Sequence, residues 1–452
     1  MADTGKRIED TLERMKKDDI KIVELQFSDI FSSLKSTTVP IDRMEDVLEN
    51  GVHFDGSSVE GFARIQESDM LLIPDPSTYA IFPWRPAEKA ECRFICDVLS
   101  TDGKPFEGDP RYILKRQIAR AVDMGLRANI GTEQEFDLFP KEVLADHSLL
   151  KQYSMSNDLY FAFTPGVGLD VRREMIMALE AMGMTVEMSH HECAAKQHEI
   201  DIRYGEALKH ADEAITFRYA VKAVAHKYGL HATFMPKTRF GVNGIGMHTH
   251  QSLANMQTGK NMFYDPNDPY GLSELAYHYL AGLLAHVKGA TAIFNPTVNS
   301  YKRIVPGYEA PCYISWARAN RSALIRIPAI PRGRPEATRM ELRSPDPSCS
   351  PYLLLAVALA SGLDGIKNKL KPPAAMEENI YHFDEETRKQ KNVDMLPGSL
   401  PDALAELSRD KVVQEALGKQ VYETYVGAKK QEWDSFRMAV TDWELDRYLK
   451  AL

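Results

Sequence analysis

The spacing of apolar and polar positions changes several times along the chain. A polar helix is predicted near 5–17, then strand character over Ile20–Phe27, and again over Cys92–Val98. The first hundred residues therefore read as a small α+β unit. A charged turn over 100–110 leads into a helix with Asp109 at its N-cap and Pro110 at its first position, where a missing N–H costs nothing. The domain boundary falls there, giving units 1–105 and 106–452. Beyond it, short β-like runs alternate with amphipathic helices at about 171–182, 206–228, 271–288 and 351–370, without a βαβ rhythm. A mixed α+β domain follows. Residues 367–373 and the polar segment through Pro401 read as a surface excursion before C-terminal helices.

Length and composition narrow the class. The 452 residues allow about three domains at roughly 150 residues each, or one large domain with a smaller partner. With 44% hydrophobic and 26% charged residues, the chain is of the ordinary globular kind. The net charge of −9 leaves no basic excess for a phosphate backbone, so nucleic acid is not an expected partner. No apolar run approaches the roughly 20 residues of a membrane span, and the charged start is unlike a signal peptide; a cytoplasmic protein is expected. Five scattered cysteines without a CxxC argue against a disulfide framework or a zinc ribbon.

Four clusters carry the candidate chemistry. In Gly131–Phe139, Glu133 and Glu135 are two residues apart, so on a strand they share a face. Two such carboxylates are tolerable if solvated and useful if a hard divalent cation sits between them. The second cluster, Glu187–Glu199, packs acids and imidazoles without an amphipathic period and reads as an active-site loop. His190 and His191 are equally readable as capping or surface residues, and no HExxH spacing is present. In the third, glycines at 241, 244 and 246 precede His248, His250 and Ser252, which share a strand face. A loop entering a buried strand explains it as well as a nucleotide does.

The fourth cluster holds Arg303 and Glu309, then Arg321 and Arg326, then Arg339, Glu341 and Arg343. The last three alternate and predict a carboxylate flanked by two guanidinium groups on one strand face. A salt-bridged surface strand explains that row. It does not explain Arg321 and Arg326 beside an apolar stretch, where charges need partners. Guanidinium forks match phosphate and carboxylate, so the pattern implies an enzyme with carboxylate-held metals and arginines aimed at phosphate. Kinase, ligase and phosphatase remain equally open on this reasoning.

These clusters, in this order, with Phe54–Ser58 and residues 67–70, resemble type I glutamine synthetase over nearly the whole chain. NPTVNSYKR (295–303), VPGYEAP (305–311), NRSALIRIP (320–328) and ELRSPDPS (341–348) are close to that family's motifs. The resemblance implies a small N-terminal β-grasp-like domain and a larger catalytic domain with a curved antiparallel sheet and flanking helices. It also implies ligation of ammonia to the γ-carboxylate of L-glutamate through a γ-glutamyl phosphate, with ATP and two or three Mg²⁺ or Mn²⁺ ions. A dodecamer of two hexameric rings is implied, with a small regulatory protein or metabolite as effector. The lack of extra sequence between Phe139 and Tyr160 resembles the shorter, feedback-inhibited alpha-type subtype, in which Arg64 would be the inhibitory arginine.

Carried over by motif, Glu135, Glu192 and Glu199 would hold one metal, and Glu133, His248 and Glu341 the second. ATP would contact Glu187, His250, Ser252, Arg321 and Arg326, and glutamate Asn243, Gly244, Arg303, Glu309, Arg321 and Arg343. Asp55, from a neighbouring subunit, and Glu309, on a flap, would bind ammonium and help deprotonate it, with Arg321 as a further catalytic group. Several positions depart from the family: Thr132 and Gln134 replace prolines, Asp137 an aromatic, and Ile245 a common Ser. Cys193, Ala195 and Lys196 stand where Val, Pro and Gly are usual. Such changes can weaken metal affinity through the ligands' supports. Two rivals are a ligase joining glutamate to a small amine and an inactive structural or regulatory homologue. Tyr381, near the adenylylation position of the other subtype, is also readable as part of a plain surface loop.

Overall fold

The computed structural model describes residues 2–59, 69–153 and 160–452. Arg64, the expected regulatory arginine, lies outside them. The N-terminal part holds α1 (Ala2–Lys17), β1 (Ile22–Ser28), β2 (Leu34–Pro40), α2 (Met44–Asn50), β3 (Val52–Asp55), β4 (Asp69–Pro74), β5 (Ala80–Ile81) and β6 (Glu91–Ser100). They form a six-stranded sheet in the order β2-β1-β6-β4-β3, with β5 on β6. β1 and β6 run parallel and the remaining pairs antiparallel. One face is apolar at alternate positions: Val23 and Leu25 of β1 and Cys92 and Phe94 of β6 pack against Met15 of α1 and Met44 and Val47 of α2. That alternation is the signal the sequence carries for a half-buried strand.

The larger part follows through α3 (Pro110–Asp123), β7 (Leu126–Pro140), α4 (Val167–Ala181), β8 (Val186–His191), β9 (Gln197–Glu206), α5 (Ala207–Lys227), β10 (Leu230–Thr233) and β11 (Met247–Asn255). It continues with α6 (Glu274–Phe294), β12 (Tyr313–Ala317), β13 (Ala323–Arg326), β14 (Met340–Leu342), α7 (Pro351–Lys367), α8 (Glu385–Gln390) and β15 (Asp394–Met395). The chain ends in α9 (Leu400–Arg409), α10 (Lys411–Leu417), α11 (Lys419–Met438) and α12 (Asp442–Tyr448). Nine strands make a curled sheet ordered β15-β12-β13-β14-β11-β7-β9-β8, with β10 on β7. It is antiparallel except between β12 and β13.

Helices α6 and α7 form the core behind this sheet, and glycine sets their distance. A Cβ on Gly282 would come within 2.2 Å of the Ser361 carbonyl oxygen, and one on Gly365 within 2.1 Å of that of His278. The helices therefore cross backbone to backbone. His286 of α6 ties them further, placing its ring nitrogens 2.9 Å from Asp410, the N-cap of α10, and 3.1 Å from Asp364 of α7.

Asp109 caps α3 by accepting from the Arg111 N–H, as the sequence predicts. Arg111 then joins both parts of the chain, pairing with Asp75 and Asp97 on one side and with Asp212 of α5 on the other. The stretch read as a surface excursion is more tightly held than that. Its β15 pairs with β12, and Ile380 packs fully buried against Cys312 and Tyr313. Tyr381 lies beside them and donates its hydroxyl hydrogen to the Ala310 carbonyl at 3.0 Å.

Candidate active site

Strand register assembles an acidic wall. On β7, Glu133 stands opposite His248 of β11, and Glu135 opposite Glu199 of β9. On β11, Met247, Thr249, Gln251 and Leu253 are buried, whereas His248, His250 and Ser252 share the other face and are half-buried, as their spacing predicts. The second cluster is a β-hairpin and not the loop that its missing amphipathic period suggests. β8 pairs with β9, with Glu192 in the connection. β8 turns Met188 and His190 to the pocket and buries only the two histidines at its end, so a search for apolar alternation misses the strand.

Among the described residues, two groups of donor atoms converge, each within 4.8 Å. One is Glu133, His248 and Glu341; the other is His190, Glu192 and Glu199. Glu135 lies beside the second group, with its Oε2 accepting from Gln197 Nε2 at 2.7 Å and from the Gly246 N–H at 2.8 Å. Burial opposes charge on Glu133, but hydrogen bonds to His248 and His250 outweigh it and hold the carboxyl well below the usual range. Burial, then Glu133 and Glu192, pushes Glu199 up to about 9, and burial with Glu192 and Glu199 raises Glu135 as well. Carboxylates that hold protons this firmly when crowded gain most from a bound cation. Oxygen donors with one imidazole in each group fit hard divalent ions such as Mg²⁺ or Mn²⁺.

Facing this wall are arginines, arranged differently from the predicted row. Glu341 is 1% exposed and is flanked by two guanidinium groups, but they belong to Arg343 and Arg326. Arg339 turns away, donating through Nε to His250 Nδ1 at 3.2 Å. The reason is length: β14 spans only Met340–Leu342, so Arg339 precedes the strand, and β13 brings Arg326 directly across from Glu341. Arg326 is thereby paired, as a charge beside apolar residues must be. Arg321, in the β12–β13 connection, is exposed and lines the pocket.

The third wall is built on close backbone approach. Arg303 is 3% exposed and donates to the carbonyls of Ser344 at 2.7 Å and Arg343 at 3.2 Å. A Cβ on Gly246 would lie 2.6 Å from Arg303 Nη2, and one on Gly244 2.6 Å from its Cγ. Glycine at these positions lets the guanidinium group reach the pocket floor. Glu309 sits above it on an exposed loop at φ 59°, with Oε2 accepting from Asn243 Nδ2 at 3.2 Å and lying 3.8 Å from Cys193 Sγ. The base of that loop rests on Tyr381 through Ala310 and on Lys237, whose Nζ lies 4.0 Å from the Tyr308 ring centre.

The walls enclose a pocket of about 240 Å³. Of the residues expected from sequence, Glu133, Glu135, Glu192, Glu199, Asn243, Gly244, His248, Arg303, Glu309, Arg321, Arg326 and Arg343 line it. Glu341 stands just behind. His250 and Ser252 continue the β11 face beyond the pocket. Glu187 is exposed at an irregularity in the β8 pairing, and it is its exposed neighbour Met188 that lines the pocket. Asp55 is exposed at the end of β3, where it accepts from the Ser57 N–H and hydroxyl, and it is not among the lining residues. Tyr160, His190 and Gln197 line the pocket without having been assigned from sequence. The signal available for His190 is its place two residues before Glu192 in the acidic cluster, since nothing in the pattern marks the strand.

Comparison with known proteins agrees with this geometry. A family model described as glutamine synthetase, beta-Grasp domain, matches residues 19–101, and one described as glutamine synthetase, catalytic domain, matches 107–448. The chain is 49% identical over 445 residues to glutamine synthetase of Methanosarcina mazei, covering 98% of each chain. It is 49% identical over 443 residues to that of Thermus thermophilus, covering 97% of this chain and 98% of the relative. Among solved structures, a GmaS/ADP complex aligns with a TM-score of 0.86 at 31% identity, over 97% of this chain and 99% of the other. Plasmodium falciparum glutamine synthetase aligns at 0.86 and 26% identity, over 98% of each.

Proposed function

The chain belongs to the glutamine synthetase family and is a glutamate–ammonia ligase using ATP, and we propose the following division of labour among its residues. One divalent cation is held by Glu133, His248 and Glu341. A second is held by Glu135, Glu192 and Glu199, with His190 within reach of the same point. Bound there, the cations offset phosphate charge and act as Lewis acids on the phosphoryl group.

The remaining roles fall to the protein's own side chains. Arg303 and Arg343, with Asn243 and Gly244, hold glutamate. Arg321 and Arg326 face ATP and stabilise the charge that develops as the γ-carboxylate oxygen bonds to the terminal phosphorus and ADP departs. Glu187, His250 and Ser252 extend the nucleotide side. Glu309 with Asp55 binds ammonium and takes its proton, and the resulting ammonia displaces phosphate from the γ-glutamyl phosphate. The loop carrying Glu309 covers the pocket and shields that intermediate from water.

The observation that carries this reading is the position of Glu341, wedged between a metal-type donor group and two guanidinium groups. Asp55 is not among the residues lining the pocket of its own chain, which favours supply from a neighbour, and we assign the chain to a dodecamer of two hexameric rings on its family membership. Five free cysteines suit a cytoplasmic enzyme. No helix among the described residues is long and apolar enough to cross a membrane.

ADP release measured with ammonium, methylamine and putrescine tests the acceptor. Turnover with ammonium is expected, and activity confined to an organic amine would replace this reading with that of a glutamate–amine ligase. Co-expressed Asp55→Ala and Glu341→Ala subunits should regain part of the amide formation that each loses alone, since some junctions pair an intact Asp55 with an intact metal site. Mixed assemblies verified by mass spectrometry that recover nothing would remove Asp55 from the neighbour's site.

A further inference from the structure

We propose that Arg239 and Asp137 are positioning residues for the turn that presents Glu192. The inference rests on the reading of Glu192 as a cation ligand. Asp137, on β7, and Arg239, in the loop after β10, are 1% and 5% exposed. Asp137 Oδ2 accepts from Arg239 Nη2 at 3.0 Å and from the Thr238 hydroxyl. The other end of the guanidinium fork, Nη1, donates to the carbonyls of Ala195 and Tyr153, both at 2.8 Å. Its Cζ lies 5.0 Å from the Phe139 ring centre. One end of the fork is thus fixed by a carboxylate on the central strand, and the other holds the β8–β9 turn.

That turn needs outside support. Lys196 adopts φ 66°, a left-handed conformation that glycine enters freely and a residue with a side chain does not. The turn closes through the Glu192 N–H to the Gln197 carbonyl at 2.9 Å and the Gln197 N–H to the Ala194 carbonyl at 3.0 Å. The Leu138 N–H also holds the Lys196 carbonyl from β7 at 2.9 Å. A shift of the Ala195 carbonyl therefore moves Glu192 and, through Gln197, the support of Glu135.

Packing alone does not call for this ion pair, because apolar residues of similar volume fill such sites at least as well. The free end of the fork identifies its task. In this chain, Arg239 and Asp137 take over from backbone preference the work of holding a strained turn.

The test is Mn²⁺ titration of the intact oligomer, following free Mn²⁺ by electron paramagnetic resonance. Arg239→Lys keeps a cation for Asp137 but cannot fork to the Ala195 carbonyl. It should raise Kd about tenfold for one class of Mn²⁺ sites and leave the other unchanged. The Mn²⁺ concentration for half-maximal turnover should rise with it, while kcat at saturating Mn²⁺ stays near native. Adding Lys196→Gly should restore most of the lost affinity, since glycine relieves the strain that Arg239 restrains. Asp137→Asn, nearly isosteric, should give a smaller shift in the same class and provides the reading if Arg239→Lys does not fold.

Glu192→Gln separates the two layers. If it leaves both Mn²⁺ classes intact, the ligand assignment fails. If it removes one class while Arg239→Lys and Asp137→Asn bind as native, positioning is overturned. Loss of affinity that Lys196→Gly does not restore also overturns it, as that marks general loosening and not a displaced turn.

Discussion

Gly246→Ala tests the glutamate side of the pocket with a single methyl group. Gly246 is not at a positive φ, so alanine meets no backbone strain, and the effect is steric. The new Cβ would lie 2.6 Å from Arg303 Nη2 and 3.2 Å from both Glu135 Oε1 and His248 Nε2. Reaching van der Waals contact requires the guanidinium group to retreat by about 0.8–1 Å, and the other two groups by a few tenths. Arg303 cannot do this freely, because its fork is engaged by the Ser344 and Arg343 carbonyls in a buried setting. A displacement of about 1 Å in a positioning group costs on the order of 10²-fold in rate, or about 2.7 kcal/mol. The assay is steady-state ADP release with glutamate varied at saturating ATP and ammonium. A fall of about 10²-fold in kcat/KM for glutamate is expected, with ATP affinity changed far less and circular dichroism unaltered. Native glutamate kinetics in a folded variant would refute the assignment of Arg303.

Glu341→Ala should abolish turnover and also destabilise the protein by about 3 kcal/mol, because it leaves the buried Arg343 guanidinium, and beside it the half-buried Arg326, without their shared carboxylate; urea unfolding at fixed subunit concentration measures this, and native stability would contradict the ion network. His286 supplies a pH test. Partial burial opposes its charge, but Asp410 and then Asp364 outweigh burial and raise its pKa. A raised folded pKa gives stabilisation that is complete below the unfolded value of about 6.5 and fades as pH rises through the folded value. His286→Ala should therefore cost about 1–2 kcal/mol at pH 6 and progressively less as pH rises above the unfolded value, as read by thermal unfolding in matched buffers; a cost that grows with pH would reverse the reasoning. Arg64→Ala is expected to keep turnover near native and to blunt inhibition by glutamine, and equal inhibition in the variant would reject the feedback-inhibited subtype.

The sequence reveals elements wherever one face is apolar and the other is not. The helix at Pro110 and the His248-His250-Ser252 face of β11 are legible for that reason, and the Asp109 cap is legible from its own chemistry, a carboxylate placed to accept from the first turn. Where a strand's inner face is the site itself, hydrophobic alternation disappears, and β8 reads as a loop. The arginine row failed differently: alternation placed Arg339 beside Glu341, but only pairing between β13 and β14, a long-range contact, could reveal that Arg326 takes that place. Spacing also locates Glu341 on a strand face without showing that it is buried. That difference changes the outcome expected of its removal from lost activity alone to lost activity and lost stability.

The two-sidedness of β11 also bears on how such an enzyme can change. Met247, Thr249, Gln251 and Leu253 answer to the core, while the residues between them answer to the pocket. Across a library of all single substitutions, tolerance along this strand should alternate residue by residue, with soluble yield governed by one set and turnover by the other. Mutations that alter chemistry here can accumulate with little burden on folding, leaving one scaffold open to new acceptors while its packing stays under separate selection.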